Sequence, residues 1–413
     1  MKRSVFNWIY SIVSDNSKII MRVKTKIISL LLIVFFLTSC KTNRDEEFRK
    51  SICGEWIFAG VGSDNKKINE EFKPGNRWID SPLDIPYYNH LRTGYIFYSN
   101  NLCEDKRGYS VGKIGENLLG IDTKYKVEND SLKILDLDNS VWKKLKIRNI
   151  TSDTLTINVN DSTFLVYTKC NYKVVKTQIF DQIIVSTSPC FGDCSIGSTS
   201  IDNQGNFIFY GQGFTEKEGL YISKINKELY KRIEQNFEKA SIDKLSESYV
   251  VNWTDAQITT VTFIKDNKIY KTISDYGHKA PCELYWAYNP VSLLYKKLNL
   301  KPFVTNKQNE FLMNHICFEN HGKLCCLEKS ESFYFFTEIC KSKEVRANFE
   351  KKYIIEYAET ENIKRIIFTD GRYYQFKQKN KTIVLDLGYN FLTRNNLLQK
   401  FRAKNRNNSR NSR

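Results

Sequence analysis

Histidine is scarce in this sequence, with only His90, His278, His315 and His321 in 413 residues. None of the four sits in a Ser-His-Asp, His-Glu-x-x-His or Cys-His pattern, so the familiar hydrolase and metalloprotease constellations are not legible. No Walker loop and no Rossmann glycine set appears, which leaves nucleotide binding without a motif. Methionine (3) and proline (7) are rare as well. No apolar run reaches the ~20 residues that a membrane-spanning helix needs. The run Ile27 to Leu37 falls short of that length and is broken by Ser29. What is plentiful is Phe (26) and Tyr (24), with frequent Val, Ile and Thr, a mix that suits pleated, half-buried strands. The expected fold is mainly β with α+β, and an enzyme is not the favoured reading.

A net charge of +17 suggests a nucleic-acid partner until it is divided along the chain. Residues 1–39 hold six bases and one acid, and 400–413 hold six bases and no acid. The 360 residues between them therefore carry only +6, an ordinary value. No nucleic-acid partner is expected.

Met21 to Lys26 is short and cationic, Ile27 to Leu37 is apolar, and Leu37-Thr38-Ser39-Cys40 follows. This is the build of a secretory signal peptide. The last four residues resemble the lipobox of bacterial lipoproteins, which implies diacylglycerol and a fatty acid such as palmitate on Cys40. Residues 1–39 would then be leader and signal, an oddly long stretch unless translation starts at Met21. Lys41 rather than Asp follows the cysteine, which by resemblance to retention rules implies an outer-membrane lipoprotein, on its periplasmic or its surface face. A charged tether is expected over 40–50.

Ten cysteines remain after Cys40, an even number compatible with disulfides in an oxidising compartment, though spacing does not dictate pairings. Residues 51–170 read as short strands, among them Gly54 to Phe58, Tyr95 to Tyr98, Lys124 to Val127, Leu132 to Leu135, Trp142 to Ile147, Thr154 to Ile157 and Phe164 to Tyr167. Apolar and polar residues alternate in several, as one wet face requires, and the spacing predicts a small barrel or sandwich. Gly54-x-Trp56 on the first strand, followed by such a meander, resembles the lipocalin-like domains of bacterial lipoproteins. That resemblance implies a cavity for a small apolar ligand. Residues 62–93, with Pro74, Pro82 and Pro86, are expected to form a long loop.

Residues 172–302 mix strands and helices into an antiparallel sheet with two helices. A strand is expected over 182–186 and a hairpin turning at Asp202-Asn203-Gln204-Gly205. A helix follows over 225–245 with Asn226 as N-cap, then a strand pair joined by Asp266-Asn267. A last helix starts after Pro281, with Pro290 interrupting it. Residues 308–398 begin with His315, Cys317, His321, Cys325 and Cys326, the residue types of a zinc site at a spacing that fits no finger pattern. No metal and no cofactor are expected. A hairpin is expected around Thr369-Asp370-Gly371, and a basic disordered tail over 399–413.

The most specific segment is Ser188-Pro189-Cys190-Phe191-Gly192-Asp193-Cys194, with Trp253-Thr254-Asp255 and Ala280-Pro281-Cys282-Glu283-Leu284 downstream. Over about 178–298 these motifs, in this order, resemble a bacterial family catalogued as domain of unknown function 6438. The family pattern has Pro where this chain has Ser195, and usually an aromatic where it has Gly197. The resemblance implies a domain boundary and an envelope setting but no activity. Cys190 and Cys194 flank Gly192 closely enough for a structural disulfide, for reduced buried thiols, or for a redox or metal pair. Gly192, Asp255, Pro281 and Glu283 are the other candidate site residues. The expected role is lipid-anchored binding or assembly in the envelope, through a ligand or a protein partner. The alternative is a thiol-dependent enzyme or metal-binding protein using Cys190 and Cys194.

Overall fold

The computed structural model describes residues 45–64, 93–111, 117–172, 180–305, 311–312, 315–360, 363–378 and 381–403. The leader, Cys40, most of the 62–93 insertion and the last ten residues lie outside that range. The described chain separates into two compact units, one ending at Asn171 and one running on from Tyr172.

In the first unit eight antiparallel strands close into a barrel in sequential order. They are β1 (Gly54–Ser63), β2 (Gly94–Phe97), β3 (Leu102–Val111), β4 (Asn117–Glu128), β5 (Ser131–Asp136), β6 (Val141–Ile150), β7 (Thr154–Asn158) and β8 (Thr163–Lys169). The barrel closes where β1 pairs with β8. The alternation seen in the sequence puts Trp56, Phe97, Tyr125, Val127, Leu132, Ile134, Leu155, Ile157 and Tyr167 in one buried cluster. Residues 45–52 are helical, α1, so 45–50 of the expected tether over 40–50 are folded instead. Its Ile52 is fully buried and accepts a 2.7 Å bond from Trp56 Nε1, so the helix packs on the cluster at Trp56. Strand β3 is not among the strands expected over 51–170, because Glu104, Asp105 and Lys106 interrupt any apolar alternation. All three are buried, and the Lys106 ammonium lies 3.3 Å from Glu55 and 3.4 Å from Glu104. Burial pushes the Cys103 thiol on the same strand up to about 12, with Asp105 and Glu104 adding to the effect.

The second unit holds two eight-stranded sheets. The first is built from β9 (Gln182–Thr187), β10 (Ile196–Asp202), β11 (Asn206–Gly213), β12 (Gly219–Lys224), β13 (Ser248–Val250), β14 (Ile258–Lys265), β15 (Lys268–Tyr276) and β16 (Lys301–Pro302). The β10–β11 and β14–β15 hairpins turn where expected, and Asp266 and Asn267 both take positive φ, at 53° and 57°, as a tight two-residue turn requires. Helix α2 (Lys227–Lys239) starts at Asn226, whose side chain accepts from Leu229 N. Helix α3 (Cys282–Ser292) carries Pro290 within it rather than breaking there; only its last two residues follow the proline. Both helices cover the face made by Ile183, Val185, Phe207, Phe209, Val261 and Phe263.

The second sheet contains β17 (Cys317–Asn320), β18 (Lys323–Cys326), β19 (Lys343–Glu344), β20 (Tyr353–Thr360), β21 (Ile363–Thr369), β22 (Tyr373–Gln378), β23 (Lys381–Asp386) and β24 (Arg402–Ala403). Strand β24 and the 3-10 turn Leu397–Lys400 occupy the start of the stretch expected as a disordered tail. Helix α4 (Lys329–Lys341) was not foreseen. It is buried on nearly every side, polar Ser330, Glu331, Ser332 and Thr337 included with Phe333, Tyr334, Phe335, Phe336 and Ile339, so no amphipathic period marks it. One buried cluster joins α4 to Ile184 and Ile264 of the first sheet and to Phe318, Ile355 and Tyr374 of the second. The stretches read separately as 172–302 and 308–398 therefore share a core. The sheet face turned to α4 is hydroxyl-rich, and its polar groups are bonded. Thr262 meets Ser330 at 2.7 Å, Thr260 accepts from Ser330 N at 3.1 Å, and Ser186 bonds Ser198 at 2.8 Å.

Candidate functional site

The loops at one end of the first sheet of the second unit gather every motif residue singled out in 178–298. Strand β9 ends at Thr187 and β10 begins at Ile196, so the chain must reverse within eight residues. Cys190 and Cys194 close that reversal as a disulfide. Gly192 sits at its tip with φ +133°, a backbone setting that side chains resist, and a Cβ there would meet open space. Phe191 beside it is 89% exposed.

The loop is held by its neighbour, the segment between β13 and β14. Gln257 Nε2 donates to Ser188 O at 2.9 Å and to Ser195 O at 3.0 Å, bridging both ends of the reversal. Ser188 N donates to Ile258 O, and Ser188 Oγ accepts from Ile258 N, both at 2.9 Å. Asp255, at φ +66°, contributes its carbonyl, which accepts from Phe191 N at 3.0 Å. Its carboxylate accepts from Thr254 Oγ1 at 3.1 Å. Asp255 thus acts through its backbone on the cysteine loop. Gln257, which the motif reading passed over, is the residue that ties the loop down.

The turn after β15 completes the cluster. Gly277 N donates to Gln257 O at 2.9 Å. Buried Asp275 accepts from Ala280 N at 2.9 Å and from Tyr288 OH at 2.8 Å. His278 Nδ1 lies 2.9 Å from the same phenol oxygen, and because that hydroxyl hydrogen goes to Asp275, the imidazole is the donor. Pro281 is the N-cap of α3, its carbonyl accepting from Leu284 N at 3.1 Å, and Glu283 lies in the first turn, where a carboxylate suits the helix N-terminus. Cys282 lies outside both disulfides. Phe214 and Trp253 on the adjoining loops, and Val250 at the end of β13, are exposed at 58%, 40% and 63%. Ser195 Oγ donates to Phe214 O at 2.9 Å, linking that loop to the stapled one.

From the opposite face of the sheet, Lys329 Nζ of α4 donates to Thr187 O at 2.8 Å, directly below the staple. Burial alone pulls its ammonium down to about 7. The His315–Cys326 set is not assembled around one point. Cys317 and Cys326 form a second disulfide across the β17–β18 hairpin. Cys325 is buried, with burial pushing its thiol up to about 11. No group of three or more His, Cys, Asp or Glu able to hold a metal ion occurs among the described residues.

Geometry predicts how the staple fails. A five-residue ring removes little chain entropy, so losing it costs about 2 kcal/mol in the loop-closure picture. The double Cys190→Ser, Cys194→Ser variant should fold and melt a few degrees lower, because Gln257 and the Asp255 carbonyl still hold the loop. Gly192→Val meets no steric neighbour, so its whole cost is the positive φ, about 1–3 kcal/mol. Thermal melts of the two variants check this. A Gly192→Val protein with wild-type melting would mean the tip is unstrained.

Residues 181–295 match the family model described as Domain of unknown function (DUF6438), so such a domain occupies that part of the chain. No curated protein and no solved structure matches the chain.

Proposed function

We propose that this chain is a lipid-anchored bacterial envelope protein, held at the outer membrane through lipid on Cys40, and that it works by binding or assembly rather than by catalysis. The observation that carries this reading is Phe191, 89% exposed at the tip of a loop fixed by the Cys190–Cys194 disulfide, Gln257 and the Asp255 carbonyl. A rigid aromatic held in water, with exposed Phe214 and Trp253 on neighbouring loops, is the build of a protein-contact hot spot. Two disulfides support an oxidising compartment, in keeping with the signal sequence at Met21 to Cys40. The closed eight-stranded barrel, with Gly54-x-Trp56 on its first strand, supports a lipocalin-like first unit.

The test uses the full chain expressed in a Gram-negative host. Phe191→Ser and Trp253→Ser should leave melting unchanged and abolish a photo-crosslink formed from residue 214 to an envelope protein. Cys40→Ser should lose labelled palmitate. A crosslink that persists in both aromatic variants argues against this surface. Cycling of the Cys190–Cys194 pair at mild redox potential would instead favour thiol chemistry.

A further inference from the structure

The outer face of β4, β5 and β6 presents Lys124 and Lys126, then Lys133, then Lys144 and Lys146. The ladder sets Lys126 opposite Lys133 and Lys133 opposite Lys144, three ammonium groups in one cross-strand row. Like charges placed directly opposite on a sheet are destabilising. Glu128 offsets part of this, at 3.2 Å from Lys126 and 2.6 Å from Lys133. Lys124, Lys144 and Lys146 form no ion pair among the described residues, and all three are exposed. Five lysines thus share this face with two carboxylates, Glu128 and the outlying Asp122. Trp142, 41% exposed, adjoins the row, with Lys126 Nζ 4.7 Å from its ring centre. A row of five lysines that one paired carboxylate only partly offsets fits a surface meant for an anionic partner.

The chain's own path says which partner. Helix α1 begins at Asp45, whose carboxylate accepts from Asn129 N at 2.9 Å and from Asp130 N at 3.2 Å in the β4–β5 turn. That turn is the end of the lysine face. Cys40 is five residues earlier, so even a fully extended chain keeps it within ~18 Å of Asp45. A lipid on Cys40 would bring the bilayer to the edge of the lysine row.

We propose that the Lys126–Lys133–Lys144 face of the barrel docks on an anionic phospholipid surface, the membrane that carries the lipid anchor. The proposal rests on the Cys40 anchoring reading for its geometry, since one fatty anchor and one basic patch together give firm, oriented attachment. Headgroup phosphates would neutralise the row, and Trp142 would sit at headgroup depth, where indole rings are favoured.

The experiment uses the mature chain with Cys40→Ala, so that lipid plays no part. Sedimentation with vesicles of phosphatidylcholine and phosphatidylglycerol is compared with pure phosphatidylcholine. Binding to the anionic vesicles alone is expected, with loss at high salt. The Lys126→Gln, Lys133→Gln, Lys144→Gln variant should bind roughly 100-fold more weakly, from three lysines at the usual increment each. It should fold and melt close to the parent, because relief of the row's repulsion offsets the half-exposed Glu128 pairs it loses. Lys227→Gln, Lys231→Gln, Lys301→Gln, three exposed lysines of the second unit, should bind as the parent does. Equal binding by the Lys126 triple variant, equal binding to neutral vesicles, or a preference for duplex DNA over vesicles would overturn the proposal. Palmitate labelling of Cys40 is scored separately, so a missing anchor and an inert lysine face give different results.

Discussion

Replacing Lys329 by Met is expected to raise the stability of the second unit at neutral pH and to remove its dependence on alkaline pH. Lys329 is the first residue of α4 and is 6% exposed. Its one hydrogen bond goes to Thr187 O, a neutral acceptor, and burial holds its ammonium at about 7, against 10.5 in the unfolded chain. Between those two values the unfolded chain binds more protons than the folded one, so stability rises with pH across the window. The charge penalty is fully present below pH 7 and gone above the unfolded value. Its full size is about 5 kcal/mol, from the usual conversion of a pKa difference into free energy, and about 4 kcal/mol of it remains at pH 7, where the folded ammonium is half titrated. Met keeps the stem's volume and has no charge to desolvate. It gives up the bond to Thr187 O, which costs about 1 kcal/mol. The net gain at pH 7 should therefore be about 3 kcal/mol. Denaturant midpoints of the second unit, measured from pH 6 to pH 10, check this. A parent curve that is flat with pH would mean the ammonium is solvated or paired.

Trp56→Ala should cost the barrel about 3–5 kcal/mol, the usual range for deleting a buried indole. Trp56 is fully buried, its Nε1 donates to Ile52 O at 2.7 Å, and Lys169 Nζ lies 5.0 Å from the ring centre. Alanine would leave a cavity in the cluster and strip α1 of its bond to the barrel. Trp56→Phe keeps most of the volume and loses that bond, for roughly 1 kcal/mol. Urea midpoints and near-ultraviolet circular dichroism of the full chain separate the two variants. If Ala and Phe cost the same, the hydrogen bond rather than the filled volume is what the indole supplies.

Much of the barrel was legible because its strands have one wet face. Tyr125 and Val127 alternate with Lys124 and Lys126, and Leu132 and Ile134 with Lys133, so a period of two appears in the residues themselves. The hairpin turns at Asp202–Gly205 and Asp266-Asn267, and the Asn226 cap, are local devices whose chemistry needs no distant partner. The cysteine loop was legible as a motif, while the structure decided among its open readings by joining Cys190 to Cys194.

Other features depend on partners far along the chain. Strand β3 shows no apolar alternation, and it is Glu55, on another strand, that neutralises its Lys106. Gln257 has no motif of its own, and its role appears only when folding sets it between Ser188 and Ser195. Helix α4 is buried on nearly all sides, its serines and Glu331 as well as its aromatics, because two sheets cover it, and a helix covered all round carries no amphipathic signature. Lys329 reads as an ordinary surface lysine in sequence, and only burial over Thr187 changes its charge. Local periodicity and turn chemistry are written residue by residue, so the sequence determined the alternating strands, the Asn226 cap and the hairpin turns. Burial and pairing belong to contacts between distant segments, so only the tertiary structure decided which charges are hidden and which lysines are left facing water.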